Sequence, residues 1–430
     1  MKGYFQVIIL VVFLIAAVFG VLVFSGVIPI GKDKSSGGLG TVVLWGTVSQ
    51  AAVNSILDEF NNFNKTFSVQ YVEKKPESFD KDLLEALASG KGPDMFFMPE
   101  DLVFSYQNKI FTIPYQSYSE ATFKGTFVGA GEVFMNSRGV MAFPVAVDPM
   151  VMYYNRSMLD ANGIVYPPTH WDQFEDLVPK LTVKDDANKI SKSAVALGQF
   201  NNVNYAKNIL ATMFMQTGNP IVSEKGGIYS STMDKFTPEL SLGKVLEFYT
   251  DFANPLKSVY SWNRSLPQAR DSFSSENLAF YFGYASELKS LINRNPNQNF
   301  LATQMPQLRG TTGKLTNAHV LGIAISSASK NFNTALTAAS LMATGDFAVR
   351  FAPALGMVPA RRDVIASVPA DSFSSTFYAS ALYGRAWVDP SAEDTNDIFR
   401  VMIEKVLSNN LSFDDAVRDA SVKTSLLLIK

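Results

Sequence analysis

The chain has 430 residues, of which 47% are hydrophobic and 18% charged, so it is long enough for two globular lobes. With 37 basic and 39 acidic side chains its net charge is -2, which leaves no positive excess to bind a nucleic acid backbone. Cysteine is absent, and this excludes disulfides, thiolate metal sites, cysteine nucleophiles and a lipid-modified N-terminal cysteine.

The N-terminal stretch from residue 5 to residue 30 is apolar, and only Gln6 and Ser25 interrupt it. About 20 apolar residues in a helix suffice to cross the hydrocarbon core of a membrane. The sequence therefore predicts a transmembrane anchor at 5–28 and, because GKDKSSGGLG follows, a flexible polar linker at 29–40. The alternative is a cleaved signal peptide, but its apolar core would be shorter and no Ala-x-Ala cleavage site is present. The charges flanking the stretch allow the remaining chain to face outward.

Three short strands alternate with two helices in the next part of the chain. The apolar and alternating patterns predict strands at 41–45, 67–73 and 95–98, a helix capped by Ser49, and a second helix at 79–89. This order predicts a parallel sheet with right-handed crossovers, in which ligands bind beyond the carboxyl ends of the strands. Trp45, Glu100 and Asp101 lie at those ends.

Later patterns are structural in character. Thr169, with Asp172 three residues on, predicts a helix cap that leaves Trp171 to pack in the core. Near the C-terminus an amphipathic helix is predicted at 395–409, and Ser412 with Asp415 predicts the cap of a last helix.

Several segments together resemble one protein family. They are, in chain order, LWGT, DLLEALASGKGPDMFFMPED, FPVAVDPMVMYYNRSML followed by GIVYPPTHWDQFEDLVPKLT, FSSENLAFYFGYASEL, HVLGIAISSASKNFNTALTAASLM and LGMVPARRD. This pattern resembles the extracellular solute-binding proteins of bacterial ABC importers that are similar to maltose-binding protein. The resemblance covers residues 41–425.

The resemblance implies a type II periplasmic-binding-protein-like α/β fold, in which a ligand binds between two lobes and favours their closure. It places three interlobe crossings near 146–150, 317–322 and 355–362. The first lobe would comprise 41–147 and 318–360, and the second 148–317 and 361–430. It also implies ABC permease subunits as partners and no cofactor. Together with the predicted anchor, these expectations describe a single-pass membrane protein with an extracytoplasmic binding domain.

Three carboxylates are candidate ligand contacts by this resemblance. Asp148, in the run PVAVD, matches an acidic contact on the hinge strand, although an Asp before proline also starts turns. Asp101 matches a carboxylate that accepts sugar hydroxyls, against the alternative of a solvated loop acid. Glu100 is adjacent, and one of two neighbouring acids must usually point away. Met98 stands where maltose-binding protein has an aromatic residue, so one stacking surface is missing.

Aromatic and amide side chains complete the candidate site. Trp45 and Tyr284, at a Gly-aromatic turn, are expected to stack on sugar rings, and replacing either by alanine should weaken binding by more than about 1 kcal/mol without unfolding the protein. Trp262 and Trp387 lie in polar loop sequence and are candidates for the pocket wall. An amide-rich loop capable of recognising hydroxyls contains Asn201, Asn202, Asn204 and Tyr205. Core packing and ordinary turn chemistry are the competing interpretations.

An enzyme is disfavoured by the same sequence. His170 and His319, the 2 histidines, lie far apart, and no metalloprotease, nucleophile-elbow or phosphate-loop motif occurs. No metal site is predicted. A glycoside hydrolase using Glu100, Asp101 and Asp148 is the leading enzyme alternative, and a tethered adhesion or scaffold protein is another. We expect a carbohydrate ligand, with a peptide or another polar solute as the alternative.

Overall fold

The computed structural model describes residues 40–235, 241–311 and 313–429. The predicted anchor at 5–28, and the linker up to residue 39, lie outside these residues. Within them, no helix is both long enough and apolar enough to cross a membrane. The fold is a two-lobed α/β arrangement around a continuous hydrophobic core.

The strands range from two-residue bridges to one long central strand. They are β1 (Gly40–Gly46), β2 (Phe67–Glu73), β3 (Met95–Pro99), β4 (Ile113–Pro114), β5 (Met135–Asn136), β6 (Gly139–Val140), β7 (Ala142–Asn155), β8 (Val183–Lys184), β9 (Ile190–Val195), β10 (Val222–Lys225), β11 (Ile228–Ser231), β12 (Leu278–Tyr284), β13 (Phe300–Gln304), β14 (Thr316–Ile325), β15 (Val358–Pro359) and β16 (Gly384–Arg385).

The helices pack on both sides of these strands. They are α1 (Gln50–Phe63), α2 (Phe79–Ala88), α3 (Val103–Tyr106), α4 (Glu120–Thr126), α5 (Arg156–Ala161), α6 (Phe174–Leu181), α7 (Ala206–Gln216), α8 (Leu242–Asp251), α9 (Ala269–Ser274), α10 (Leu288–Arg294), α11 (Phe332–Thr344), α12 (Asp346–Ala354), α13 (Arg362–Ile365), α14 (Ser372–Ala381), α15 (Ala392–Leu407) and α16 (Phe413–Leu427). Short 3₁₀ helices occur at Pro76–Ser78, Glu100–Leu102, Gly129–Phe134, Trp171–Gln173 and Ala285–Glu287.

One sheet runs through both lobes in the order β2-β1-β3-β14-β7-β12-β9-β8. Strand β7 has 14 residues, all of them buried. Its N-terminal part pairs with β14, as far as Pro149 opposite Ala318, while Met150 already pairs with Tyr284 of β12. The two halves of the sheet are therefore joined by a strand whose partners change between residues 149 and 150.

The opening β-α-β-α-β unit confirms the sequence prediction. Strands β2 and β3 flank β1, and both pair with it in parallel. Three parallel strands therefore end at one edge of the sheet, with Trp45 and the 3₁₀ helix that contains Glu100 and Asp101 at that edge. Ser49 precedes α1, as predicted, but its side chain makes no capping hydrogen bond.

The later caps agree in part with the sequence. The cap predicted at Thr169 is wrong by one residue, because His170 forms the capping box with Gln173, while Asp172 pairs with Arg309. Trp171 is buried, as predicted, and its indole N–H donates to Gln216 Oε1 at 2.8 Å. The last helix begins as predicted, with the Ser412 hydroxyl accepting from the backbone N–H of Asp415.

Candidate ligand-binding site

A histidine–carboxylate pair lies where the first lobe meets the crossing strands. Glu100 is buried, pairs through one oxygen with His319 Nδ1, and accepts the backbone N–H of Val320 through the other at 2.9 Å. Burial opposes ionisation of Glu100, yet the charge of His319 holds the pKa of this carboxyl below its usual range. Burial would also lower the pKa of His319, but Glu100 outweighs it and raises the value to about 9. The pair is therefore charged at neutral pH.

Asp148 lies opposite His319 in the register of β7 and β14. Its carboxylate accepts the backbone N–H of Ser286 at 3.0 Å and the Ser286 hydroxyl at 2.6 Å. Burial raises the pKa of Asp148 to about 6, although both hydrogen bonds favour the charged form. Asp148 thus links a crossing strand to the turn after β12, and both of its oxygens have partners.

Tyr284 packs against the Glu100–His319 pair from the second lobe. Its ring centroid lies 4.2 Å from that of His319, and its hydroxyl donates to Asn317 Oδ1 at 2.6 Å. Tyr205 meets the Tyr284 ring edge-on at 4.9 Å, from a backbone with φ of 59°. A bulky residue rarely adopts this left-handed conformation, and such outliers cluster at functional sites. Only 2% of Tyr284 is exposed, so its ring face is covered in this arrangement.

Asp101 differs from its neighbours because one of its oxygens has no partner. Oδ1 is buried without a hydrogen bond to any described residue. Burial raises the pKa of Asp101 to about 6, and the charge of Glu100 acts in the same direction. His319 and Lys207 lie close enough to lower that pKa, and Asp389 close enough to raise it. Asp101 is thus a buried acceptor close to the charges of Lys207 and Asp389.

A second buried ion pair provides those charges. Lys207 Nζ contacts Asp389 Oδ2 at 2.7 Å and Thr395 Oγ1 at 3.0 Å, and all three residues are buried. Trp387 is buried beside them, with Lys207 Nζ 5.7 Å from its ring centroid. Because Lys207 lies close to both Trp387 and Asp101, these two residues are in the same region.

Trp45 remains half-buried at the end of β1. Lys74 Nζ lies 3.6 Å from its ring centroid, a cation–π contact that covers part of the indole. Trp45 also packs against the core with part of its surface. The structure therefore leaves this aromatic side chain accessible at the edge where the parallel strands end.

The other candidates have structural contacts. Trp262 is 1% exposed and belongs to the core, although its indole N–H has no partner among the described residues. The Asn202 amide donates to the carbonyls of Asn263 and Leu266, and Asn204 accepts the backbone N–H of Arg270. Asn201 is exposed, and its carbonyl accepts from Gln268.

Lys207, Asp389, Asn317 and His319 were not among the site residues predicted from the sequence. One signal was available: Lys207 is the only charged residue in the mostly apolar run AKNILATMFM, where a lone charge requires a buried partner. Asn317 and His319 lie in a strand whose pattern predicts only burial. Among the residues that the structure describes, no group of His, Cys, Asp and Glu is arranged to hold a metal ion.

Known structures show the same fold. The chain is similar to a cyclo/maltodextrin-binding protein solved with maltotetraose, with a TM-score of 0.72 and 14% identity over 91% of this chain and 98% of that one. For the sugar-binding protein MalE of Xanthomonas citri the TM-score is 0.71, with 17% identity over 90% and 97%. An ABC substrate-binding protein of Listeria monocytogenes, solved with cycloalternan, gives 0.65 and 18% over 90% and 98%. Such identities establish the fold alone.

Two lobes joined by shared strands, with polar groups gathered at the junction, form an arrangement in which a small solute can bind between the lobes. The chain belongs to the family of bacterial extracellular solute-binding proteins, whose pattern matches residues 55–375. It is a family of binding proteins and not of enzymes. Glu100 and Asp148 have His319 and Ser286 as their partners. No curated protein matches the sequence.

Proposed function

We propose that this protein binds a neutral carbohydrate between its lobes and delivers it to the permease of an ABC importer. The observation that carries the proposal is the buried, unpartnered oxygen of Asp101 beside Lys207 and Asp389. A buried acceptor without a donor costs about 1–3 kcal/mol, and a ligand hydroxyl would remove that cost. Three solved structures of the same fold contain maltotetraose, cycloalternan and α-D-tagatose, which are carbohydrates.

The residues fall into two groups in this proposal. Asp101 accepts a hydroxyl, Trp45 offers a ring face, and Asn201 and Tyr205 border the ligand from the second lobe. The others are buried and support the residues that contact the ligand: Glu100, Asp148, Trp262, Tyr284 and Trp387.

The lobe boundaries remain part of the proposal: 41–147 with 318–360, and 148–317 with 361–430. The change of β7 partners between residues 149 and 150 supports the first crossing. Strand β14 and the pairing of Val358 with Val147 support crossings near 317–322 and 355–362. In such a fold, closure around a ligand rotates the lobes about these strands.

The proposal also includes a membrane anchor at 5–28 and the linker that follows. It rests on the long apolar sequence and on the absence of cysteine, which excludes a lipid anchor attached to cysteine. An anchored binder stays near its permease, since a tether raises the effective concentration of the two partners. Cells that produce the protein with or without residues 5–28 are fractionated, and the amount of protein in the membrane fraction tests this part of the proposal.

Replacing Asp101 by asparagine is expected to weaken carbohydrate binding about tenfold or more, since a hydrogen bond to a charged group contributes roughly 1.5–3 kcal/mol. Calorimetry on the full chain in detergent, with maltotetraose, cycloalternan and α-D-tagatose as probes, measures this loss. The free energy of unfolding should not fall, because the variant removes a buried, unpaired charge. The control is Asp160→Asn, in an exposed ion pair with Arg156. Unchanged binding by Asp101→Asn would refute the placement of the site.

Replacing Trp45 by alanine is expected to weaken binding by more than about 1 kcal/mol with little loss of stability. Calorimetry with the same probes checks this, with the exposed Phe63→Ala as the control. The sequence predicted that Tyr284→Ala would weaken binding without unfolding the protein. Because the Tyr284 side chain is buried, this variant should also lose about 3–5 kcal/mol of stability. Trp45 is therefore the cleaner test, and normal binding by its variant would remove it from the site.

A further inference from the structure

A groove lies between the lobes, and its lining begins at Phe104, three residues after Asp101. Its volume is about 490 Å³, within the range typical of ligand pockets. The first lobe contributes the end of α3 with Gln107 and the β5–β6 turn with Arg138. The second lobe contributes the β10–β11 hairpin, and the chain end after α16 with Ile429. No residue of the candidate site described above lines it.

An aromatic pair closes one wall of this groove. The rings of Phe104, from the first lobe, and Tyr229, from the second, meet edge-on with centroids 5.5 Å apart. Strand β11, which carries Tyr229, is fixed to α16 by the 2.9 Å hydrogen bond between Ser421 Oγ and Ser231 Oγ. The shape of the groove therefore depends on how the two lobes are placed.

Tyr229 presents a polar group that lacks a partner. Only 8% of the residue is exposed, and its hydroxyl makes no hydrogen bond within the part of the chain that the structure describes. A phenol can donate one hydrogen bond and accept others. Leaving it buried without them costs about 1–3 kcal/mol, so a hydroxyl-bearing ligand would be favoured here.

The charges of the groove balance. Arg138 and Glu224 both line it, and one oxygen of Glu224 accepts the backbone N–H of Gly227. Burial raises the pKa of Tyr229 to about 12, with Glu224 adding to the rise and Arg138 opposing it, so the phenol stays neutral. One positive charge, one negative charge and the amides of Gln107, Asn108 and Asn136 match a ligand with many hydroxyls and no net charge.

We propose that this groove is a second ligand site, which binds a neutral polyhydroxylated solute the size of one or two sugar rings. A hydroxyl of the solute pairs with Tyr229, and others bridge Arg138 and Glu224. Because both lobes form its walls, occupancy of the groove favours the arrangement of the lobes in which Phe104 and Tyr229 touch.

Methyl NMR of the full chain in detergent, with ¹³C-labelled isoleucine, tests the proposal. Ile228 and Ile429 line the groove and are 74% and 75% exposed, so their methyl signals report on it directly. Glucose and maltose are the probes, and glucuronate and glucose 6-phosphate are their charged counterparts. We expect both signals to shift and saturate with a neutral sugar. Unchanged methyl signals, or a preference for a charged sugar, would overturn the proposal.

Tyr229→Phe removes the hydroxyl and keeps the ring contact with Phe104, so the fold should persist. It is expected to weaken the groove titration about tenfold, the effect of one lost hydrogen bond. The surface change Tyr166→Phe is the control, since that residue is 81% exposed. In Asp101→Asn the groove signals should still titrate, which separates this site from the one between Asp101 and Lys207. An unchanged affinity in Tyr229→Phe would refute the site.

Discussion

Replacing Lys207 by alanine is expected to lower the free energy of unfolding by about 3–5 kcal/mol. The change leaves Asp389 charged and buried, with only the Thr395 hydroxyl and a backbone N–H of Ser391 as partners. In the folded protein only 10% of the lysine and 8% of the aspartate side chain are exposed. Water therefore cannot replace the missing ammonium group. Chemical denaturation of the full chain at neutral pH measures the loss.

The double variant Lys207→Met with Asp389→Leu is the informative comparison. Because it removes both charges, it should be much more stable than Lys207→Ala. An exposed pair provides the control: Lys257→Ala breaks a contact of 3.1 Å with Asp251 and should cost less than about 1 kcal/mol. If Lys207→Ala behaved like Lys257→Ala, the buried position of the pair would be disproved.

Replacing His319 by alanine is expected to cost about 2 kcal/mol at neutral pH, because Glu100 loses its counter-charge in a buried position. The figure is below that for Lys207, since the His319 side chain is 40% exposed and its charge is partly screened by water. His170→Ala is the control: the hydrogen bond from this residue to Gln173 uses the backbone N–H, which alanine keeps, so the variant should cost less than about 1 kcal/mol.

The effect of His319 should depend on pH in a defined direction. Its pKa rises from the usual 6.5 to about 9 on folding, so its contribution is complete below pH 6.5 and disappears as the pH rises through 9. The difference in unfolding free energy between the wild type and His319→Ala should therefore shrink between pH 7 and pH 10. Denaturation curves at several pH values measure it. A constant difference would show that His319 acts through packing and not through charge.

The sequence was sufficient for the elements whose patterns are local. Strand β2 matches its predicted bounds, and the Ser412 cap forms as expected, because alternation and capping depend on neighbours in the chain. Local sequence could not show which of Glu100 and Asp101 is free to contact a ligand. Which of the two points away is decided by His319 and the N–H of Val320, more than 200 residues later, and no pattern near residue 100 contains them.

The aromatic predictions show the same division. Trp45 was placed at an accessible sheet edge by the strand order alone, and it lies there. Burial of Tyr284 and Trp262 depends on what packs over them from distant segments, such as Asn317 on Tyr284. The Lys207–Asp389 pair joins residues 182 apart, so its existence could be suspected from a lone lysine but its partner could not be identified.

The central position of β14 constrains the order in which the polypeptide can fold. This strand lies between β3 and β7, both of which precede it by more than 150 residues in the chain. A nascent chain that stops before Thr316 leaves β3 and β7 with open edges in the middle of the future sheet. Open edges of buried strands are sites of aggregation. The first lobe is therefore completed only after most of the second has been synthesised, although it opens the chain.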